Sequence, residues 1–543
     1  MPPRTQCGGF STRIQTFLQP TTHHDMPKLT IDNREVEVPP GATVLDAARK
    51  LGIDIPTLCQ KDGLKPATSC LACMVKLVGP GKLVPSCGTV AAEGMQVESE
   101  TEEVHHVRRS ALELLLSDHL GDCLAPCYFG CPANMDIPQM LRQIAAGDFA
   151  AAIRTVKQDI ALPAVLGRIC PAPCEKACRR RAADGAVAIC KLKRFVADVD
   201  LACEEPFHPA CKPATGKRVA IIGAGPAGLA AAYYLAQEGH ACTLFDRNDR
   251  PGGRLRTEIT GEELPRDVLD AEVDTILRLG IEVHANTAIA EGPAELRNES
   301  DAVLIACGAT VKEQAESWNI ETVKRGIAVK QGTFETNVGG VFAAGNAIRG
   351  KGLVIRSAAD GKEVAVAIGQ YLQGQAVTGP QRPFNTRIGS MDAAEFAPLL
   401  AEAGKAARLD PPGGFDPKDA VEQAARCLHC DCRKLRTCKL RKYAAEYGAD
   451  PRRYPAQRRR FELQTDHPQI LYEPGKCISC GLCVQIAERA GEPLGLTFIG
   501  RGFNVRIGVP LGGRLDSALQ KAAAECVGSC PTAALAWKAE EGP

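Results

Sequence analysis

Cysteine spacing constrains this chain more than any other feature: 25 of its 543 residues are cysteine, nearly all in tight runs. Cys59, Cys70, Cys73 and Cys87 form the first run. Cys123, Cys127 and Cys131, then Cys170, Cys174, Cys178 and Cys190, form the second. Cys427, Cys430, Cys432 and Cys438 follow, and Cys477, Cys480 and Cys483, with Cys526 and Cys530, close the series. Soft thiolates at such spacing hold iron–sulfur clusters or zinc. Disulfides are the alternative, but the leading residues lack the apolar stretch of a secretory signal. A large chain of that kind is expected in a reducing, cytoplasmic compartment. Cys203 and Cys211 have no partner at usable spacing and are expected to bind nothing.

The length implies three or more domains, because single cores rarely grow beyond roughly 250–300 residues. A formal net charge of +1 offers no global field for nucleic acid or an anionic membrane. No apolar run approaches the roughly 20 residues of a membrane span. Residues 1–26 are expected to be a disordered tail, with the folded part starting near Met26.

Leu29–Val38 alternates apolar and polar residues as a half-buried strand does, Pro39-Pro40-Gly41 turns, and Thr43 can cap a helix over Val44–Leu51. Then comes Cys59-x10-Cys70-x2-Cys73-x13-Cys87. Two close and two distant thiolates suit a 2Fe–2S cluster, whereas zinc more often takes two Cys-x2-Cys pairs. The stretches VPPGATVLDAARKLGIDIPTLC, SCLACMVKL and VPSCGTVAAEGMQV resemble the β-grasp ferredoxin module of iron hydrogenases and of the large peripheral subunit of respiratory complex I. That resemblance implies a 2Fe–2S domain over 27–103.

Residues 104–120 read as a helix leading into His119. The same families carry His-x3-Cys-x2-Cys-x5-Cys there, with histidine as a ligand; His119-x3-Cys123 matches and the spacing after it does not. CPANMDIPQMLRQIAAGDFAAAIRTVKQDIALPAVLGRICPAPCEKAC instead resembles the small subunit of NADPH-dependent glutamate synthase and the N-terminal domain of dihydropyrimidine dehydrogenase. That module interleaves two 4Fe–4S clusters in a helical domain, here 104–212. Carried over, one cluster would use His119, Cys123, Cys127 and Cys178. The other would use Cys131, Cys170, Cys174 and a fourth ligand near Cys190.

Arg218–Gly228 reads as strand, glycine turn and helix start. Gly223 permits the turn, Gly225 lets backbone approach a pyrophosphate beside Pro226 and Ala227, and Gly228 lets helix and strand pack closely. Asp246, at the end of the next strand, is placed for a ribose hydroxyl. DRNDRPGGRL, with Gly253 and Arg254, and VGGVFAAGNAIRGKGLVIRSAADGKEVA, with Gly345 and Asn346, resemble the FAD-binding segments of glutamate synthase small subunits. The resemblance implies a Rossmann-like FAD domain over 213–376, but no second G-x-G-x-x-G appears, so the family's NAD(P)H insert is expected to be missing.

Residues 377–460 read as a linker with one amphipathic helix near Met391–Ala406 and the quartet Cys427, Cys430, Cys432 and Cys438. The quartet's spacing leaves a cluster, zinc or nothing open. Cys477-x2-Cys480-x2-Cys483, with distant Cys530 before Pro531, is a 4Fe–4S pattern and marks 461–543 as a ferredoxin-like module. It again resembles complex I and its hydrogenase relatives. The expectation is a multidomain α/β and α+β chain carrying FAD, one 2Fe–2S and three 4Fe–4S clusters, with the quartet open to an additional cluster or zinc. It would be an electron-transfer subunit of a multi-component oxidoreductase whose substrate chemistry sits on a partner, such as a dehydrogenase, hydrogenase or NAD(P)H-handling subunit. The alternative is a stand-alone NAD(P)H-dependent oxidoreductase.

Overall fold

Two sheets, one at the N-terminus and one mid-chain, organise the residues that the computed structural model describes: 26–309, 312–454 and 457–538. The expected tail, Met26 apart, lies outside them. The first sheet has the order Arg34–Glu37, Lys28–Ile31, Gln96–Glu98, Met74–Leu77, Lys82–Pro85. Lys28–Ile31 and Gln96–Glu98 pair in parallel, the other neighbours antiparallel. Leu29–Val38 is a hairpin rather than one strand, because Asp32 and Asn33 both take positive φ and reverse the chain. Helix Val44–Lys50, capped reciprocally by Thr43 and Asp46, buries Val44, Leu45, Ala47 and Ala48 against this sheet.

Helix Glu102–Ser117 leads out of the sheet domain. Fully buried Arg108 fastens it: Nε donates to the Met74 carbonyl at 2.9 Å and Nη1 to the Tyr447 hydroxyl at 2.8 Å. A helical layer follows, Ile137–Ala145, Phe149–Lys157, Pro163–Ile169 and Ile189–Leu201, with Asp136 and Asp148 as N-caps. Its apolar faces share one core with the second sheet.

That sheet is parallel throughout, in the order Val341–Ala343, Ala302–Ile305, Arg218–Ile222, Ala241–Phe245, Glu282–His284. Near-continuous burial of Val219–Ile222 and Ala302–Ile305 explains why these strands read as unbroken apolar runs. Helices Pro226–Gln237 and Val354–Leu372 pack closely because Gly361 has no side chain: a Cβ there would stand 2.4 Å from the Ala227 carbonyl oxygen. Between Ile305 and Val341 the described residues hold only helix Lys312–Ser317 and the ribbon Thr322–Val323/Gly326–Ile327, with no second parallel sheet.

The stretch read as a linker is structural. Asn385 accepts from the Leu124 amide at 2.8 Å, and Thr386 donates to the Gly121 carbonyl at 2.6 Å. Asp122 accepts from the Ile388 amide at 2.9 Å, so 385–388 straps down the loop around Cys123. Helix Ala393–Glu402 has a capping box from Asp392 and Glu395. Helices Pro417–Ala424 and Lys439–Glu446 flank the 427–438 run. The last segment has two antiparallel pairs, Ile470–Tyr472/Leu535–Trp537 and Thr497–Ile499/Arg506–Gly508, and helices Leu482–Arg489 and Ala523–Ser529. Among the described residues no helix is long and apolar enough to cross a membrane.

Candidate metal centres and nucleotide cleft

The cysteines gather into five groups, two of them joining residues from opposite ends of the chain. Cys59, Cys70, Cys73 and Cys87 are buried together as free thiols, and the neighbouring Cys70 and Cys87 thiols hold that of Cys59 well below the usual range. Cys73, bonded by Cys87, is lowered to about 7, while Cys70 and Cys87 are raised. The loop carrying them bends through Thr68 and Leu71, both at positive φ.

The run 427–438 does not close on itself. Burial pushes the Cys127 thiol up, and its next largest influences are Cys427, Cys430 and Cys178. Cys427 and Cys430 in turn feel Cys178. Cys432 feels Cys123, and Cys438 feels Cys432 and Cys123. The backbone fits the split: the Cys432 amide donates to the Cys123 carbonyl at 3.1 Å, while His429, at φ 48°, bends the chain between Cys427 and Cys430. The structure sets Cys427 and Cys430 beside Cys127 and Cys178, and Cys432 and Cys438 beside Cys123, whereas the sequence reading kept the quartet together and placed Cys123 with Cys127 and Cys178.

The sequence held the signal. With 124–429 skipped, His119-x3-Cys123 continues through Cys430-Asp431 into Cys432-x5-Cys438, restoring His-x3-Cys-x2-Cys-x5-Cys. His119 stands beside Lys476, whose side chain would meet a Cβ on Gly121 at 2.7 Å. Burial and Lys476 lower the imidazole pKa to about 4, so the ring is neutral, and its buried Nδ1 has no hydrogen-bond partner. Lys476 also faces Cys432 and is paired with Glu473 at 2.6 Å.

The fourth group lines a small cavity: Cys131, Cys170, Cys174 and Cys190 with Met135, Ile137, Ile160, Ile189, Lys193 and Ile355. Burial raises Cys174 to about 12, and Cys170, bonded by Cys190, falls to about 7. The fifth joins Cys477, Cys480 and Cys483 to Cys530. Cys530 is felt by all three, whereas Cys526 is felt by Cys483 alone and directs its thiol at the Cys483 carbonyl. Exposed Cys203 and Cys211 join no group.

Most of these thiols are raised by desolvation, so bare thiolates are unfavourable there and cations would hold them ionised. Among the described residues no three His, Cys, Asp or Glu side chains surround one ion-sized point. Amide donors are in place: His429 to Cys427 Sγ at 3.5 Å, Arg441 to Cys438 Sγ at 3.5 Å, and Ser479 to Cys477 Sγ at 3.4 Å.

The groups stand in file. Cys480 feels Cys59, and Cys438 feels Cys530. Leu58, Cys59, Cys70, Cys438, Cys480 and Leu482 share one apolar core. Cys123 and Cys127 lie four residues apart, as do Cys127 and Cys131. Ile355 of that small cysteine-lined cavity belongs to the helix turn whose Val354 and Ser357 line the nucleotide cleft.

That cleft, of about 390 Å³, lies within the range of small-molecule sites. Gly223, at φ 107°, leaves no room for a Cβ, which would stand 2.7 Å from the Ala306 carbonyl oxygen. Gly225 has open space where a Cβ would point, and a Cβ on Gly228 would strike the Gly223 carbonyl at 1.9 Å. These match the three glycine roles. Pro226, Ala227, Gly253, Arg254 and Asn346 line the cleft; Gly345 stands behind it, its amide donating to Asp360 at 3.1 Å. Asp246 lines it too, but accepts from the Ala224 amide at 2.7 Å and from Asn248, bracing the glycine turn. Asn346 Oδ1 is buried without a hydrogen-bond partner, an orphan acceptor suited to a bound hydroxyl.

Residues 25–102 match a family model described as a 2Fe-2S iron-sulfur cluster binding domain. Residues 117–205 match dihydropyrimidine dehydrogenase domain II, 4Fe-4S cluster, and 221–284 match an NAD(P)-binding Rossmann-like domain. The chain is 40% identical over 207 residues to the NADP(+)-dependent formate dehydrogenase subunit beta of Moorella thermoacetica, covering 34% of this chain and 29% of that one. It is 38% identical over 189 residues to the NAD-dependent dihydropyrimidine dehydrogenase subunit PreT of Escherichia coli O157:H7, 34% and 45%. It is 36% identical over 184 residues to the glutamate synthase [NADPH] small chain of Bacillus subtilis, 33% and 37%. The chain thus spans less than half the length of these curated relatives, and over that shared third it is homologous to glutamate synthase small chains and dihydropyrimidine dehydrogenase subunits.

Proposed function

We propose that this chain is an electron-transfer subunit of a multi-component oxidoreductase, carrying one 2Fe–2S cluster, four 4Fe–4S clusters and FAD. Its ligand sets are Cys59/Cys70/Cys73/Cys87; Cys477/Cys480/Cys483/Cys530; His119/Cys123/Cys432/Cys438; Cys127/Cys178/Cys427/Cys430; and Cys131/Cys170/Cys174/Cys190. The single observation that carries the reading is the file of cysteine groups from Cys59 to the cleft at Ile355–Ser357. Iron–sulfur clusters exchange single electrons, and a flavin couples these to two-electron chemistry. The chain's own part is to space the donors, exclude water around them and hold the cofactor's hydroxyls at Asn346. The N-terminal sheet with its crossing helix is read as a β-grasp ferredoxin, and the redox partner as a separate dehydrogenase, hydrogenase or NAD(P)H-handling chain.

Anaerobic purification with iron, sulfide and flavin assay tests this. About 18 irons and one FAD per chain are expected from the cluster types. Iron near ten or below, or no flavin, would reject it. The match of 221–284 to an NAD(P)-binding model favours a second reading, in which the isolated chain takes electrons from NAD(P)H directly. Bleaching of the purified chain by NADH or NADPH without a partner supports that reading; an unchanged spectrum rejects it.

A further inference from the structure

Among the described residues three lysines are buried: Lys157, Lys193 and Lys476. Burying an ammonium costs several kcal/mol unless an anion accompanies it. Lys157 holds Asp200 at 2.6 Å, and Lys476 holds Glu473 at 2.6 Å. Among the described residues Lys193, 4% exposed, pairs with no carboxylate; the groups that favour its charge are Cys190, Cys170, Cys131 and Cys174. The nearby acids are committed elsewhere. Glu272 accepts from the Ala164 and Val165 amides at 2.7 Å each, and Glu175 accepts from the Cys190 amide and binds Arg408 at 2.8 Å.

Lys193 stands on helix Ile189–Leu201, three residues after Cys190 and so on the same face. With the four thiols it lines the small cavity, whose other walls include Met135, Ile137, Ile160, Ile189 and Ile355. A positive charge in such apolar surroundings is weakly screened, so it acts strongly on any change of charge beside it.

We propose that Lys193 is the fixed countercation of this group, raising the reduction potential of the cluster bound there. The inference rests on the cluster reading above. Reduction adds one electron and one negative charge to the site; the ammonium favours that product over the oxidised state and neither gains nor loses a proton. Net charge and surroundings are established determinants of cluster potential. Because Ile355 links this cavity to the cleft, the effect would hold an electron next to the flavin.

The test is anaerobic redox titration of the full chain followed by electron paramagnetic resonance, with iron counted on every sample. Cys174→Ser identifies the signal: loss of about four irons and one component supports the cluster, and unchanged iron rejects the cluster reading itself. Lys193→Met is expected to keep its iron and lower that component's midpoint, by a tenfold or larger drop in its reduced-to-oxidised ratio at fixed potential, about 59 mV for one electron. Lys193→Arg restores it. A full iron count with an unmoved midpoint in Lys193→Met overturns the proposal while leaving the cluster in place. If Lys193→Met does not fold, Lys193→Gln is read the same way. Loss of the four irons in both neutral variants assigns Lys193 to cluster assembly and overturns the tuning role.

Discussion

Glu272 shows how one side chain can set a pH dependence in a protein whose visible chemistry is redox. Its carboxyl is buried between helices Arg266–Leu277 and Pro163–Ile169, and desolvation outweighs two amide bonds to raise its pKa to about 7. The folded state therefore holds a proton that the unfolded chain releases near its ordinary value of 4.5. Between those values the folded state binds more protons, so stability declines as pH rises through them. Thermal unfolding from pH 5 to 7.5 should show this decline, and Glu272→Gln should flatten it; an identical slope in the variant would remove Glu272 as its source. His119 has the opposite character. It is neutral across this range, fit to offer a lone pair, and its partnerless Nδ1 has no other visible use.

At the scale of elements, the nucleotide cleft depends on two helices lying close. A Cβ at position 361 would stand 2.4 Å from the Ala227 carbonyl oxygen and 2.8 Å from Ala230 Cβ. Gly361→Ala should push Val354–Leu372 away from Pro226–Gln237 at a cost of about 1–3 kcal/mol. Its cleft end carries Asn346's neighbours Val354 and Ser357, so flavin per chain should drop by about half or more while iron is unchanged, since occupancy falls tenfold in affinity per 1.4 kcal/mol. Retained flavin at the wild-type level would show that the helices can give. This local architecture was legible in the sequence, because strand, glycine turn, helix and Asp246 obey short-range rules. The turn at Asp32–Asn33 was missed since alternation continues through it, and the 385–388 strap was missed since its bonds are made by side chains to a distant loop.

Across the whole molecule, every proposed ligand residue could be named from spacing together with the family resemblance, but not every partnership. Spacing counts residues along the chain, and the sets His119/Cys123/Cys432/Cys438 and Cys127/Cys178/Cys427/Cys430 are assembled through space. The junction has further braces: Arg180 donates to the Arg426 carbonyl at 2.5 Å, and Arg142 pairs with Asp431 at 2.9 Å. Residues 124–429 therefore behave as an insertion whose ends meet. Joining Cys123 directly to residue 430, with Cys430→Ser, should give a folded chain without flavin that holds about ten irons, the complement of one two-iron and two four-iron sites. Recovery of only about two irons would show that the insertion is needed to build the ends it separates.

The amide of Cys432 resting on the carbonyl of Cys123 also imposes a timetable. A ribosome adding 5–20 residues per second needs roughly 15–60 s to travel the intervening stretch of about 300 residues. For that interval the nascent chain offers His119 and Cys123 with half their companions unmade, while Cys59 to Cys87 can already be filled. On the proposed ligand sets, maturation begins at one end, waits, and is completed only when the late-made cysteines arrive, so a chain truncated before Cys427 would carry open thiols in place of two finished centres.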